Sequence, residues 1–343
     1  MKGWSDHMKV IDMHCDTIYK LLCKKDKGEK AELRENNGHI DLLRMKQSNY
    51  LVQNFAMFVE LGCDGDPWER IGRLYELYHQ ELENNRDLVA PVLKFTDIAA
   101  NEAAGKMSSM LTVEEGGVCK GEIEKLHSLY DMGVRMITLT WNFPNELGCP
   151  NLDSTLDHRT EDFEAYAYTP NLTDGLTDKG KEFVAEMEQL GIIPDVSHLS
   201  DAGFYDVLNV TKKPFVASHS DARAVSPWVR NLTDDMIRKL ADRGGCMGLN
   251  YCADFLEAVP VGQKNPGTIA AVVRHAKHIT NVGGIGVLGL GSDFDGISTH
   301  GELPGAQSME KLWDALKKEG FTESQLDHIF WKNVLRVYGD TLA

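Results

Sequence analysis

No stretch of the 343 residues approaches the roughly 18 uninterrupted apolar positions that a membrane-spanning helix needs. The opening residues MKGWSDHMKV likewise carry no apolar signal core, so a cytoplasmic location without membrane association is expected. Cysteine is sparse and unpatterned. The 7 cysteines (Cys15, Cys23, Cys63, Cys119, Cys149, Cys246 and Cys252) are odd in number and never spaced CxxC, which points to neither a disulfide framework nor a thiolate metal knuckle. Positive charge is also in deficit: 36 basic against 52 acidic side chains leave a net charge of −16. The long-range field of such a chain repels phosphate, which argues against nucleic acid and anionic membranes as partners. Internal repeats, Pro-rich linkers and low-complexity runs are missing as well.

What is present is alternation. Short apolar runs recur at Lys9–Met13, Val52–Val59, Met110–Val113, Arg135–Thr140, Ile192–Val196, Phe215–Ser218, Cys246–Asn250 and Gly286–Leu290. Between them lie amphipathic stretches at Pro67–Asn85, Gly121–Met132, Thr177–Leu190, Asp234–Arg243 and Thr268–Asn281, the fourth preceded by Thr233 as a plausible N-cap. Two more helices, Ser308–Lys318 and Thr322–Tyr338, close the chain. Eight strands with intervening helices predict a closed (β/α)8 TIM barrel, since closure abolishes both sheet edges. The expected organisation is a single barrel domain over residues 1–343, with long loops after the second and fourth strands.

Metal-capable side chains recur at the C-terminal ends of these runs, the rim where barrels build active sites. The first ends in His14-Cys-Asp16, whose outer residues share a face of an extended segment. The third ends in Glu114-Glu115-Gly-Gly, where adjacent carboxylates face opposite ways, so only one can enter the mouth. His198 and His219 follow the fifth and sixth runs, and Asp293 and Asp295 follow the eighth, Asp295 standing before glycine as a turn brace. Imidazole and carboxylate without thiolate suit zinc. Five ligands exceed the needs of one open site, whereas a glutamate bridging two ions would use them all, and hydrolysis follows as the reaction class. The sequence Gly284-Ile-Gly286-Val-Leu-Gly289 matches a dinucleotide fingerprint but follows a helix and opens a strand, the wrong context. His127, His158, His275 and His278 fall on helical faces or in loops and receive no role.

The combination IDMHCDT (11–17), EEGG (114–117), DVSHLS (195–200), SHSDAR (218–223), RN (230–231) and GSDFDG (291–296) resembles the membrane dipeptidase family, peptidase family M19, along nearly the whole chain. That resemblance implies a metal-dependent barrel hydrolysing free dipeptides. It implies two zinc ions held by His14, Asp16, a bridging Glu115 (the glutamate immediately before Gly-Gly), His198 and His219. Asp293 is implied as general base, Arg230 as the holder of the substrate carboxylate, and Tyr251 as a residue lining the pocket. A homodimer is a further expectation of the family. One departure stands out: where mammalian members place a histidine after the LTLT segment, this chain has Trp141-Asn142. Indole donates but carries no charge, so Trp141 and Asn142 are expected to meet the substrate differently.

Two other readings remain at this level. A related binuclear barrel could hydrolyse lactones, cyclic amides or phosphoesters, although no lysine between Arg135 and Asn142 is available for the carbamate bridge those sites use. A metal-stabilised binding protein without turnover is the third.

Overall fold

A computed structural model describes residues 8–62, 65–155, 163–259, 263 and 265–342; Cys63 and His158 lie outside this set. Its strands are β1 (Val10–Asp12), β2 (Tyr50–Phe58), β3 (Val89–Pro91), β4 (Met107–Glu114), β5 (Val134–Thr138), β6 (Ile193–Asp195), β7 (Val216–Ala217), β8 (Cys246–Leu249) and β9 (Leu288–Leu290). Neighbours run in the order β2-β1-β9-β8-β7-β6-β5-β4, all parallel, and β2 pairs back onto β4 from Val52↔Ser108 to Phe58↔Glu114. Eight strands thus close into a (β/α)8 barrel, and each of the eight apolar runs supplies one of them.

The short strand β3 was not foreseen. It flanks the start of β4 from Val89↔Met107 to Pro91↔Ser109, before β5 takes over at Leu111. Three residues ending in proline are too few to show a period of two. It belongs to the long connection after β2, which also holds the helices Pro67–Asn84 and Phe95–Ala103.

Helices begin where hydroxyl and carboxylate caps satisfy free N–H groups. Thr233 accepts from the Met236 N–H as its position suggested, Thr177 and Ser200 do the same for Gly180 and Gly203, and Asp66 serves Trp68 and Glu69 ahead of Pro67. The stretch expected as one C-terminal helix instead contains a π-helical turn, His328–Lys332, between Glu323–Asp327 and Asn333–Thr341. After that turn Asn333 donates to the Ile285 and Leu288 carbonyls, tying the helix to the entry of β9.

The barrel interior is apolar where the strands begin: Met110, Met136, Ile193, Val216 and Cys246, one from each of five neighbouring strands, pack with Val334, Val337 and Tyr338 of the last helix. That helix closes the N-terminal end and leaves the C-terminal rim free for polar side chains. Glycine is required at that rim. A Cβ on Gly291 would lie 1.7 Å from the Ser218 carbonyl oxygen, so β7 and the chain leaving β9 approach this closely only without a side chain there. Among the described residues no helix is long and apolar enough to cross a membrane.

Candidate active site

Within β4, Met110 faces the barrel interior while Leu111 and Val113 pack outward against the helices. Alternation then turns Thr112 and Glu114 inward and sends Glu115 the other way. The structure brings His14, Asp16, Glu114, His198, His219 and Asp293 to one cluster at the C-terminal rim. His14 Nε2 lies 3.3 Å from Asp16 Oδ2, 3.3 Å from Glu114 Oε2 and 3.9 Å from Asp293 Oδ1. Glu114 Oε1 lies 3.1 Å from His198 Nε2 and 3.5 Å from His219 Nε2, and those two nitrogens are 3.0 Å apart. Glu114 therefore touches all three imidazoles.

The expectation for Glu115 is corrected by this geometry. Its carboxylate points out of the cluster and accepts from the backbone N–H of Gly117 (2.7 Å) and Trp141 (2.9 Å) and from Asn145 Nδ2. Its backbone is left-handed at φ 91°, which is costly for a residue with a side chain. Burial pushes its pKa up to about 7 despite those donors. Counting positions from Thr112, the polar residue amid apolar neighbours, would have selected Glu114 from the sequence.

Tyr251 is a second correction. It is fully buried, its hydroxyl on Met309 Sδ and its ring edge-to-face with Phe294 at 5.5 Å, and it does not line the cavity. Arg230 is buried beside the cluster, behind the residues that line the cavity, donating to Ser220 Oγ and the His219 carbonyl, with its guanidinium 5.5 Å from the centre of the cavity-lining Phe255 ring and Nε unpaired. Trp141 and Asn142 both line the cavity, yet Asn142 Oδ1 already faces His198 Nδ1 at 2.9 Å. Asp295 braces the turn: it accepts from Thr17 Oγ1, Lys20 Nζ and the His39 N–H.

Several orienting residues carry no motif of their own. Asp195 accepts from Thr138 Oγ1, the Ser218 hydroxyl and the N–H groups of Ser197 and Ser218. Because the Ser218 hydroxyl spends its proton on Asp195, it accepts at 2.7 Å from His219 Nδ1. Asn250 Nδ2 donates to Asp293 Oδ2 at 2.9 Å, leaving Oδ1 toward the cluster. In the sequence Asp195 and Ser218 sit three and one positions before a motif histidine, whereas Asn250 adjoins none, and the partners of all three include residues on or after other strands.

The donor set can be tested for its fitness to hold cations. His198 Nδ1 faces a carbonyl oxygen and His219 Nδ1 faces a hydroxyl that needs a donor, so in each ring the proton sits on Nδ1 and the lone pair on Nε2. Burial first, then the charges of His14 and Arg230, holds both rings well below the ordinary imidazole pKa. Two imidazole lone pairs thus converge on the Glu114 carboxyl, a donor set that a cation would satisfy. On the other side, Asp16 Oδ1 is buried without a partner. Burial raises Asp293 to about 6, and burial with the Asp16 charge raises Glu114 to about 8. His14 is pushed upward: burial opposes its charge, but Glu114 and Asp16 outweigh it. Two triads, His14-Glu114-His219 and His14-Asp16-Asp293, have ligand atoms within 4.8 Å of one another. Cys252 also lines the cavity, but burial pushes its thiol to about 12, so no thiolate is offered. The cavity above the cluster measures about 360 Å³, room for a small molecule.

Comparison with known proteins agrees. The family model described as membrane dipeptidase (peptidase family M19) matches residues 2–342. An uncharacterised dipeptidase of Schizosaccharomyces pombe is 33% identical over 359 residues, covering 98% of this chain and 81% of its own. The solved structure of dipeptidase AC, a family M19 metallopeptidase, has a TM-score of 0.86 at 24% identity, covering 98% of this chain and 99% of that one. A metallopeptidase from Rhodobacter sphaeroides, solved with a phosphinate mimic of the dipeptide L-Ala-D-Ala, has a TM-score of 0.85 at 24% identity, covering 98% of this chain and 100% of that one.

Proposed function

Since the chain belongs to the membrane dipeptidase family, peptidase family M19, and is a metallo-dipeptidase by class, we propose that it hydrolyses free dipeptides at a two-zinc centre. The observation that carries this reading is the convergence of three imidazole Nε2 atoms on Glu114, with the Asp16 and Asp293 carboxylates within 4 Å of the same His14 nitrogen. His14, Asp16 and Glu114 would hold one cation, and Glu114, His198 and His219 the other; imidazole and carboxylate donors without thiolate suit zinc. When bound, such a pair polarises a carbonyl and lowers the pKa of water.

The chain's own groups supply the rest. Asp293, with Oδ2 pinned by Asn250 and Oδ1 toward the cluster, takes the proton from the attacking water and returns it to the leaving amine. Ser218 and Asn142 hold His219 and His198 in the tautomer that presents Nε2. Arg230, its guanidinium buried beside His219, receives the substrate carboxylate, and the limited cavity selects short substrates.

The test is metal quantification alongside cleavage of free dipeptides and of the same dipeptides acetylated or amidated. About two zinc ions per chain, with hydrolysis confined to the free dipeptides, is expected. A preparation that binds no divalent metal, or one that cleaves blocked and free dipeptides equally, overturns the reading.

A further inference from the structure

The barrel mouth has two unlike walls. On one, Phe58 at the end of β2 meets Tyr19 edge-to-face (ring centres 5.0 Å apart, 79°) and Trp141 likewise (5.0 Å, 68°), and Trp141 leans on Phe143 at 5.9 Å. On the other stand Cys252 and Phe255, with Arg230 against the Phe255 ring. Around the closed sheet β7, whose following loop carries Arg230, is four strands from β2 in either direction, directly across the barrel. Asp16, Glu114, His198 and Asp293 line the cavity between the walls.

Trp141 is held in place rather than left to rotate with its loop. Glu115 accepts its backbone N–H and, through the same carboxylate, fastens Gly117 and Asn145. The carboxylate that alternation turns away from the cluster thus anchors the aromatic wall.

We propose that Tyr19, Phe58 and Trp141 form the pocket for the side chain of the dipeptide's N-terminal residue, and that the enzyme prefers a bulky apolar or aromatic residue there. This rests on the reading of Arg230 as the holder of the substrate carboxylate. With that end fixed beside β7, the scissile bond lies over the carboxylate and imidazole cluster, and the first residue reaches the β2 side. Aromatic faces reward the removal of apolar surface from water, and the three rings offer an acidic side chain no counter-charge.

The experiment measures kcat/KM of the zinc-loaded enzyme on Phe-Ala, Leu-Ala, Gly-Ala and Asp-Ala, with Ala-Phe and Ala-Leu as the reversed series. Phe-Ala and Leu-Ala should exceed Gly-Ala by about 10- to 100-fold, the range one hydrophobic pocket commands, with a smaller spread in the reversed series. Trp141→Ala should cut the rate on Phe-Ala about tenfold more than on Gly-Ala, and Trp141→Phe should restore most of the preference. If Trp141→Ala does not fold, as its thermal melt will report, Trp141→Leu and Phe58→Ala carry the comparison through the same ratio. Wild-type enzyme that cleaves dipeptides without favouring a bulky first residue, or a ratio unmoved by Trp141→Ala or by these two replacements, overturns the pocket. Cleavage of no dipeptide at all would instead overturn the underlying reading of the activity.

Discussion

Glu114 and Glu115 are neighbours with different tasks, and the difference comes from one step of strand alternation. Glu114 ends β4 facing three imidazoles, while Glu115 turns into a left-handed conformation and gathers N–H donors from the β4 and β5 loops. His198 (φ 70°) and Asp293 (φ 60°) are also left-handed, so three strand ends carry backbone strain beside the cluster. The two glutamates can be separated by experiment. Glu114→Gln should lower bound metal and reduce kcat by more than about 100-fold. Glu115→Gln should keep its metal complement and lose mainly the order of the loop bearing Trp141. Metal analysis of the purified variants decides, and metal loss in Glu115→Gln alone would return the bridging role to Glu115.

At the scale of elements, buried carboxylates stitch adjacent strands together under the site. Asp12 at the end of β1 receives the N–H and hydroxyl of Ser292 after β9, and Asp195 of β6 receives Ser218 after β7 and Thr138 of β5. Through Ser218 this stitch also sets the His219 tautomer. Ser218→Ala should therefore weaken metal affinity by about 10- to 100-fold with an unchanged circular dichroism spectrum; unaltered affinity would reduce Ser218 to packing. His275 on the helix Ile269–Gly283 is a stitch of another kind, accepting the Ala222 N–H on Nδ1 and donating from Nε2 to the Leu256 carbonyl. Burial, the largest cause, holds its pKa down to about 4. An unfolded imidazole takes up its proton near pH 6.5, so between those values the unfolded chain binds more protons and stability falls as pH falls. The contribution, on the order of 3 kcal/mol, is whole above pH 6.5 and gone below about pH 4. Denaturant titrations from pH 7 to 4 should show a flatter loss of stability in His275→Gln; parallel curves would contradict the assignment.

For the whole molecule, the barrel's two ends divide the labour. One is plugged by apolar side chains and the C-terminal helix, and the other gathers carboxylates and imidazoles, Asp16 Oδ1 unpartnered among them, in a set able to hold cations. A ligand that binds only the folded state stabilises it, by about 4 kcal/mol at a thousand times its Kd. Stripping with a chelator should accordingly lower the Tm by several degrees, reversibly on adding zinc. A melting curve indifferent to chelator would mean that the cluster holds no metal.

How much of this was legible can be judged from particular residues. The eight runs became the eight barrel strands because a buried parallel strand writes itself as a continuous apolar segment, and His14, His198, His219 and Asp293 stood out by following those segments. The strand Val89–Pro91 and the π-helical turn at His328–Lys332 left no such mark, being too short for any period to show. Tyr251 matched a pocket residue by motif but packs on Phe294 and Met309, because a motif records neighbours along the chain and not which way a ring points.

The order of residues alone determined the barrel, the chemical types at its rim and hence a centre built for hard and borderline cations, since apolar periodicity and ligand chemistry are local properties. Only the folded barrel decided which glutamate enters the mouth, which nitrogen of each imidazole keeps its lone pair, and that an aromatic wall stands across from Arg230. Those outcomes depend on contacts between strands distant in the chain, where a single step of alternation or one hydroxyl proton changes what a side chain meets.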